Sequence, residues 1–293
     1  MELPNNLNLP FFAYGIFKKG ELAFLSIMDL VKDIDERASV KGILYLRDGL
    51  PILDPNLDQY DQAQVVGSLI HFKNNHSIEA YERINRLEPD KQYEWMETKT
   101  KQKEKCNYLI GIKPKIGSVE DDYGWNGKDD PLFTDALKVI RKVLDNNRGF
   151  DKGFKPMFKL QMAYLLLWSA IERYASLRYH LGGKSWNKIK HIKDDDIFKE
   201  LLHENVEENV GQYRRVQRAD RPTEHYELNP KKPKESLEYY YQIRNNISHR
   251  GKGAVNPDHK IVEKSLHELL NIFDRALRNA FEISSKFNVS QGR

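Results

Sequence analysis

Arg244 to Gly251 reads Arg-Asn-Asn-Ile-Ser-His-Arg-Gly, near the end of a helical pattern that starts around Glu235. On a helix Asn245 and His249 are four apart and share a face, with Arg244 one step round on the adjoining face. A titratable imidazole, a permanent cation and an amide donor would then meet at one patch. These groups could cleave RNA without a metal: the imidazole moves the proton in 2′-OH attack and the guanidinium holds the phosphate. The plainer readings are a histidine bonded to terminal carbonyls at a helix end, and a structural bridge from Arg244 to Glu172.

The elements that must position this patch are helical. From Pro131 the apolar residues fall at helical spacing through Leu144, and Met157 to Leu181 is too apolar for one face alone, so it is expected at the centre. Three aspartates lead a further amphipathic helix over residues 194–209, and a last one runs over about residues 259–287. Four to six helices in this half predict an all-α bundle. Before the motif helix, Arg214, Arg215, Arg218, Arg221, Lys231, Lys232 and Lys234, with Tyr213 and Tyr226, form a basic, aromatic stretch, and Arg250 follows His249 directly. Such a stretch suits phosphate contact and base stacking, or else is a solvated loop. Of Tyr239, Tyr240 and Tyr241, at least one must face the core.

The N-terminal half reads differently. Strands are expected over residues 9–17, 40–46, 65–72, 94–101 and 107–112, with a turn at Gly49 to Pro51. A helix is expected over residues 18–35, and another over residues 78–87 capped by Ser77. Residues 116–130, with Gly117, Gly124, Gly127 and five acidic residues, read as a linker on which Trp125 packs against one domain. The expected organisation is thus α+β in two domains: a small mixed α/β domain over 1–115, the linker 116–130, and a helical domain over 131–293.

Two family resemblances attach to these residues. Arg244-Asn-x-x-x-His249 in the penultimate helix, with the upstream LLLWSAIERYASL segment, resembles the HEPN superfamily, whose signature is an arginine and a histidine separated by four to six residues. The likeness spans roughly residues 130–287. It implies a metal-independent endoribonuclease, toxin-like or antiviral, leaving a 2′,3′-cyclic phosphate. His249 would be the acid/base, Arg244 the phosphate clamp, Asn245 an orienting donor, and Glu172 the support for the arginine. It also implies a homodimer around one composite cleft, with a tRNA or mRNA substrate and a neutralising or activating partner.

In the other half, Phe12-Ala-Tyr-Gly15, Val40-Lys-Gly42, Val66-Gly67 and Arg86-Leu-Glu88 with Tyr93 appear in an order that resembles the γ-glutamylcyclotransferase-like fold, a small β-barrel with flanking helices. There the loop matching Tyr14, Gly15, Ile16 and Phe17 would cradle a carboxylate through backbone N–H groups, and Glu88 would move the proton. Ile16 stands where Ser or Thr is usual, Phe17 where Leu is usual, and Pro89 where Gly is usual. A degenerate domain kept for binding or packing is therefore expected ahead of an active one, and under the ribonuclease reading it would sense or regulate. The alternatives to the ribonuclease are this cyclotransferase, with the helical domain as dimeriser, and a non-catalytic module binding RNA or a partner.

Composition narrows the classes. No apolar run approaches the length of a membrane helix, and MELPNNLNLP lacks the charged and apolar regions of a signal peptide. The single cysteine, Cys106, permits no internal disulfide and fits a reducing cytoplasm. No P-loop, Gly-rich dinucleotide turn, HExxH or Cys/His cluster is present, so neither a cofactor nor a metal is expected. Residues 1–125 carry 16 Lys+Arg against 20 Asp+Glu, a net −4, whereas the whole chain is +4, so the remainder is +8. A polyanion is expected to meet the C-terminal half.

Overall fold

The protein is described by a computed structural model covering residues 1–47, 49–56, 63–88, 91–121, 124–146, 154–179, 185–207, 214–250 and 256–287. It is a mixed α+β chain, sheet-rich in its N-terminal part and helical in its C-terminal part. Two compact units divide it. One comprises Met1–Asp130, Leu177–Gly182 and Ala280–Arg293, the other Pro131–Ser176 and Gly183–Asn279.

In the first unit, β1 (Phe11–Ala13), β2 (Val31–Lys41), β5 (Gln64–Phe72), β6 (Tyr93–Lys99) and β7 (Lys105–Gly111) form one sheet in the order β2-β5-β1-β7-β6. Its β1–β7 pairing is parallel and the others are antiparallel. A second sheet of order β4-β3-β8 holds β3 (Ile43–Arg47), β4 (Leu50–Asp54) and β8 (Val119–Glu120). Helix α1 (Ser77–Leu87) carries Tyr81 into the aromatic centre, edge-on to Trp95 at 5.2 Å and to Phe72 at 5.4 Å. The Tyr81 hydroxyl donates to the Leu9 carbonyl (2.7 Å) and accepts from Asn107 (2.9 Å), so a buried polar atom is satisfied where the ring packs.

Several expectations are corrected here. The helix expected over residues 18–35 is two 3-10 turns, Ala23–Ser26 and Met28–Leu30, running into β2. Gly20, at φ 93°, starts the segment in a conformation no helix uses, and pairing with β5 draws Val31 onward into the sheet. Residues 40–46 are not one strand. Gly42, at φ 154°, separates β2 from β3 and lets the chain change sheets, and a Cβ there would stand 3.0 Å from the Asp54 carbonyl. Ser77 is not the cap of α1; His76 holds that place, with no side-chain capping bond.

The described residues of 116–130, read as a linker, belong to the first unit. Val119 and Glu120 pair with Leu46 and Tyr45, Trp125 is buried with its indole N–H on the Gly49 carbonyl (2.9 Å), and Gly127 N–H donates to Glu21 (3.2 Å).

The second unit holds α2 (Asp135–Asn146), most of α3 (Phe154–Tyr179), α4 (Ser185–Ile192), α5 (Asp196–Asn205), α6 (Pro233–Arg250) and most of α7 (Asn256–Lys286). Leu160, Tyr164, Leu167 and Trp168 of α3, Tyr240 and Ile243 of α6, and Leu266 and Leu269 of α7 are all buried. The buried face of α3 thus forms the centre of this unit, while Phe154, Phe158 and Met162 on its outer side are exposed. Asp195 caps α5, accepting from Ile197 and Phe198 N–H. Between α5 and α6 lies a hairpin the periodicity does not announce, β9 (Arg215–Arg218) against β10 (Arg221–Glu227). Gly251, expected to stop the motif helix, lies outside the described residues.

Candidate functional site

Arg244, Asn245 and His249 of α6 line one cleft of about 680 Å³, walled opposite by Arg218, Asp220 and Tyr226 of the hairpin. The helical spacing explains the convergence: the three motif residues occupy adjoining faces near the end of α6. Arg244 Nη2 lies 3.5 Å from Glu172 Oε1 of α3, and its Nη1 donates to Asn245 Oδ1 at 3.4 Å. Its guanidinium also sits 5.7 Å from the Tyr241 ring centroid, while Trp168 meets that ring edge-on at 5.4 Å. A guanidinium has more N–H donors than these two polar contacts use, so donors remain for an anion in the cleft. Burial raises the Tyr241 hydroxyl, with Arg244 opposing and Glu172 adding to the shift. His249 is exposed at the cleft and makes no hydrogen bond or ion pair among the described residues.

A further residue, which the motif reading passed over, positions the opposite wall. Asn246 is 3% exposed and makes three hydrogen bonds: its Oδ1 accepts from Ala219 N–H (3.1 Å) and Gln242 Nε2 (2.8 Å), and its Nδ2 donates to the Gln217 carbonyl (2.7 Å). It pins the hairpin to α6. The doubled asparagine in Arg-Asn-Asn is the only trace of this in the sequence, and nothing there names its partner.

The basic stretch is rearranged by its acidic neighbours. Arg214 is inside the unit, 8% exposed, donating to both carboxylate oxygens of Glu268 (2.6 and 2.7 Å) and to Ser265 (2.7 Å). It therefore offers no surface to RNA, contrary to the expectation. Arg215 pairs with Glu227 (2.6 Å), Arg218 with Asp220 and Glu224, Arg221 with Glu224, Lys232 with Glu235 and Lys234 with Asp194. The stretch is a hairpin with ion pairs rather than a loop of free cations, and Lys231 lies exposed beyond it. Tyr239 and Tyr240 are buried, and Tyr241 takes the cleft side. The side chain of Arg250 and all of Tyr213 lie outside the described residues.

In the first unit, Tyr14, Gly15, Ile16, Phe17 and Glu88 line a common pocket with Pro51 and Tyr93. Its volume of about 20 Å³ has room for about one water molecule. Burial pushes the Glu88 carboxyl up to about 8, and that carboxyl makes no hydrogen bond or ion pair among the described residues. Glu88 is half-buried just past the end of α1, extended at φ −90° and ψ 131°. The Tyr14 hydroxyl is raised by burial first and by Glu88 second. Pro89 lies outside the described residues.

Among the described residues no group of three or more His, Cys, Asp or Glu could hold a metal ion, and no helix is long and apolar enough to cross a membrane. Compared with protein-family models, with curated proteins and with solved structures, the chain matches none.

Proposed function

We propose that the second unit is a HEPN-like helical bundle and a metal-independent endoribonuclease. One observation carries the reading. The arginine of the motif is braced by a carboxylate from the central helix, while the histidine of the motif stands open in the same cleft. In the reaction the 2′-oxygen attacks phosphorus and the P–O5′ bond breaks, giving a 2′,3′-cyclic phosphate and a 5′-hydroxyl. One imidazole takes the 2′ proton and an imidazolium gives a proton to O5′. With one motif histidine per chain, the two roles fall to that histidine in turn or to the pair that a homodimer brings together at a composite cleft. Arg244 offsets the charge that grows on the phosphoryl oxygens, and Glu172 keeps its guanidinium aimed.

The test is incubation of total RNA with the purified protein in excess EDTA, wild type beside His249→Ala. Cutting by wild type alone, with cyclic-phosphate ends, is the expected result. Equal cutting by both would sink the assignment.

A second reading rests on the first unit. Tyr14 to Phe17 and Glu88 meet at one pocket, and a carboxyl poised near 8 suits proton transfer at neutral pH. A γ-glutamylcyclotransferase-like barrel there would release 5-oxoproline, with loss of release in Glu88→Gln. The pocket's size counts against an open substrate site and favours the same domain acting as a sensor or packing element.

A further inference from the structure

The ribonuclease reading explains α6 and leaves the hairpin opposite unexplained. On that wall Arg218 spends three of its five N–H donors on carboxylates: Nε donates to Asp220 Oδ1 (2.8 Å), Nη2 to Asp220 Oδ2 (3.0 Å) and Nη1 to Glu224 Oε2 (3.1 Å). Two carboxylates offset its charge, so it is poorly suited to clamp a phosphate. What those bonds fix is the plane of the guanidinium, and a fixed cationic plane is a stacking surface. Tyr226, half-buried and opposite Val216 in the ladder, lines the same cleft. Arg218 and Arg221 pair across the turn at Ala219 and Asp220, the register slips between Arg221 and His225, and Asn246 ties the β9 end of the arm to the helix that carries the motif.

We propose that this hairpin is the substrate-reading arm of the cleft. Tyr226 and the face of Arg218 take the base beside the scissile phosphate, so the substrate is single-stranded RNA. A base inside an A-form duplex keeps both faces in its own stack, and only an unpaired one can be given to an aromatic side chain. The arm adds stacking, and Arg244 adds the charge. Asn246 is the positioning residue, acting through the backbone at Gln217 and Ala219.

The inference rests on the ribonuclease reading, and its test separates the two. Steady-state cleavage of a short single-stranded RNA is compared with cleavage of the same strand annealed to its complement. Binding of both is followed in parallel by fluorescence anisotropy with the His249→Ala protein. The single strand is expected to be bound and cut at least about tenfold better than the duplex. Tyr226→Ala is expected to raise KM about tenfold with little change in kcat, and Tyr226→Phe, which keeps the ring, to restore it. Asn246→Ala should raise KM in the same sense. Equal cutting of duplex and single strand, or a Tyr226→Ala protein with the wild-type KM, overturns the inference and leaves the ribonuclease standing. Neither cutting nor binding of either RNA overturns both.

Discussion

Replacing Arg214 with methionine tests whether the first arginine of the basic stretch serves the fold or a ligand. Arg214 donates to Glu268 and Ser265, and its guanidinium lies 5.5 Å from the Tyr239 ring centroid, while Tyr240 also donates to Glu268 (3.1 Å). Glu268 is 7% exposed, so removing the arginine leaves a carboxylate desolvated with only hydroxyl support. Breaking a buried pair in this way costs about 3–5 kcal/mol. With each kcal/mol worth about 2–4 °C for a unit of this size, the melting temperature should fall by roughly 10 °C. Far-UV circular dichroism reads this directly, because most of the helix lies in the unit concerned. Replacing both partners, Arg214→Met with Glu268→Leu, should recover most of the loss, since the penalty belongs to the orphaned charge rather than to the missing attraction. A single variant that melts with the wild type but binds RNA more weakly would refute the reasoning and return Arg214 to the surface.

Other outcomes follow from the same geometry. Glu88, raised to about 8 against an ordinary 4.5, keeps its proton in the folded chain while the unfolded chain has lost it. Stability should therefore fall as pH rises between those values, by at most about 1.4 kcal/mol per pH unit, and level off above. Glu88→Gln should remove that slope: urea unfolding would show no difference from wild type below pH 4.5 and a more stable variant at pH 8. A variant less stable at pH 8 would mean the ionised carboxylate has a partner. Glu172→Ala should lower kcat for RNA cleavage by about tenfold or more, because Arg244 loses the group that aims it, and unchanged kcat would make the bridge structural only. Gly111→Ala should destabilise the first unit by about 1–3 kcal/mol in denaturant titration, because its Cβ would overlap Ile52.

The helical half is legible wherever a long apolar period meets a start signal. Asp195 caps α5 and Pro233 opens α6, both at places the residue types favour. Shorter pieces escape because tertiary pairing decides them. Ala23–Ser26 and Met28–Leu30 bury Ala23, Phe24 and Leu30 in single turns, a pattern that in sequence cannot be told from two turns of α-helix. Likewise Val119–Glu120 is a strand only because Leu46 and Tyr45 present an open edge. The pocket at Glu88 was readable as an ordered set of residues, but its small volume and the missing partner of its carboxyl are properties of packing, which no spacing encodes.

The site shows the same division more sharply, because charge in sequence is not charge in space. Arg244, Asn245 and His249 are neighbours on one helix, so their convergence follows from the helical period alone. Glu172 is reachable by inference because the central helix must pack against the motif helix. The basic stretch has no such local rule. Arg214 finds Glu268 across 54 positions, and Lys234 finds Asp194 from another helix. Once those acids are in place, the arginines of the hairpin carry almost no free field, and exposed pairs of this kind add little stability either. On the ribonuclease reading proposed above, Arg244 is then the source of attraction for a phosphate among the described residues of the cleft, and any preference among RNAs comes from surfaces that do not depend on charge. Tyr226 and the locked plane of Arg218 are the surfaces of that kind on the hairpin wall, so salt should weaken overall binding through the Arg244 side while leaving the choice of single strand over duplex intact.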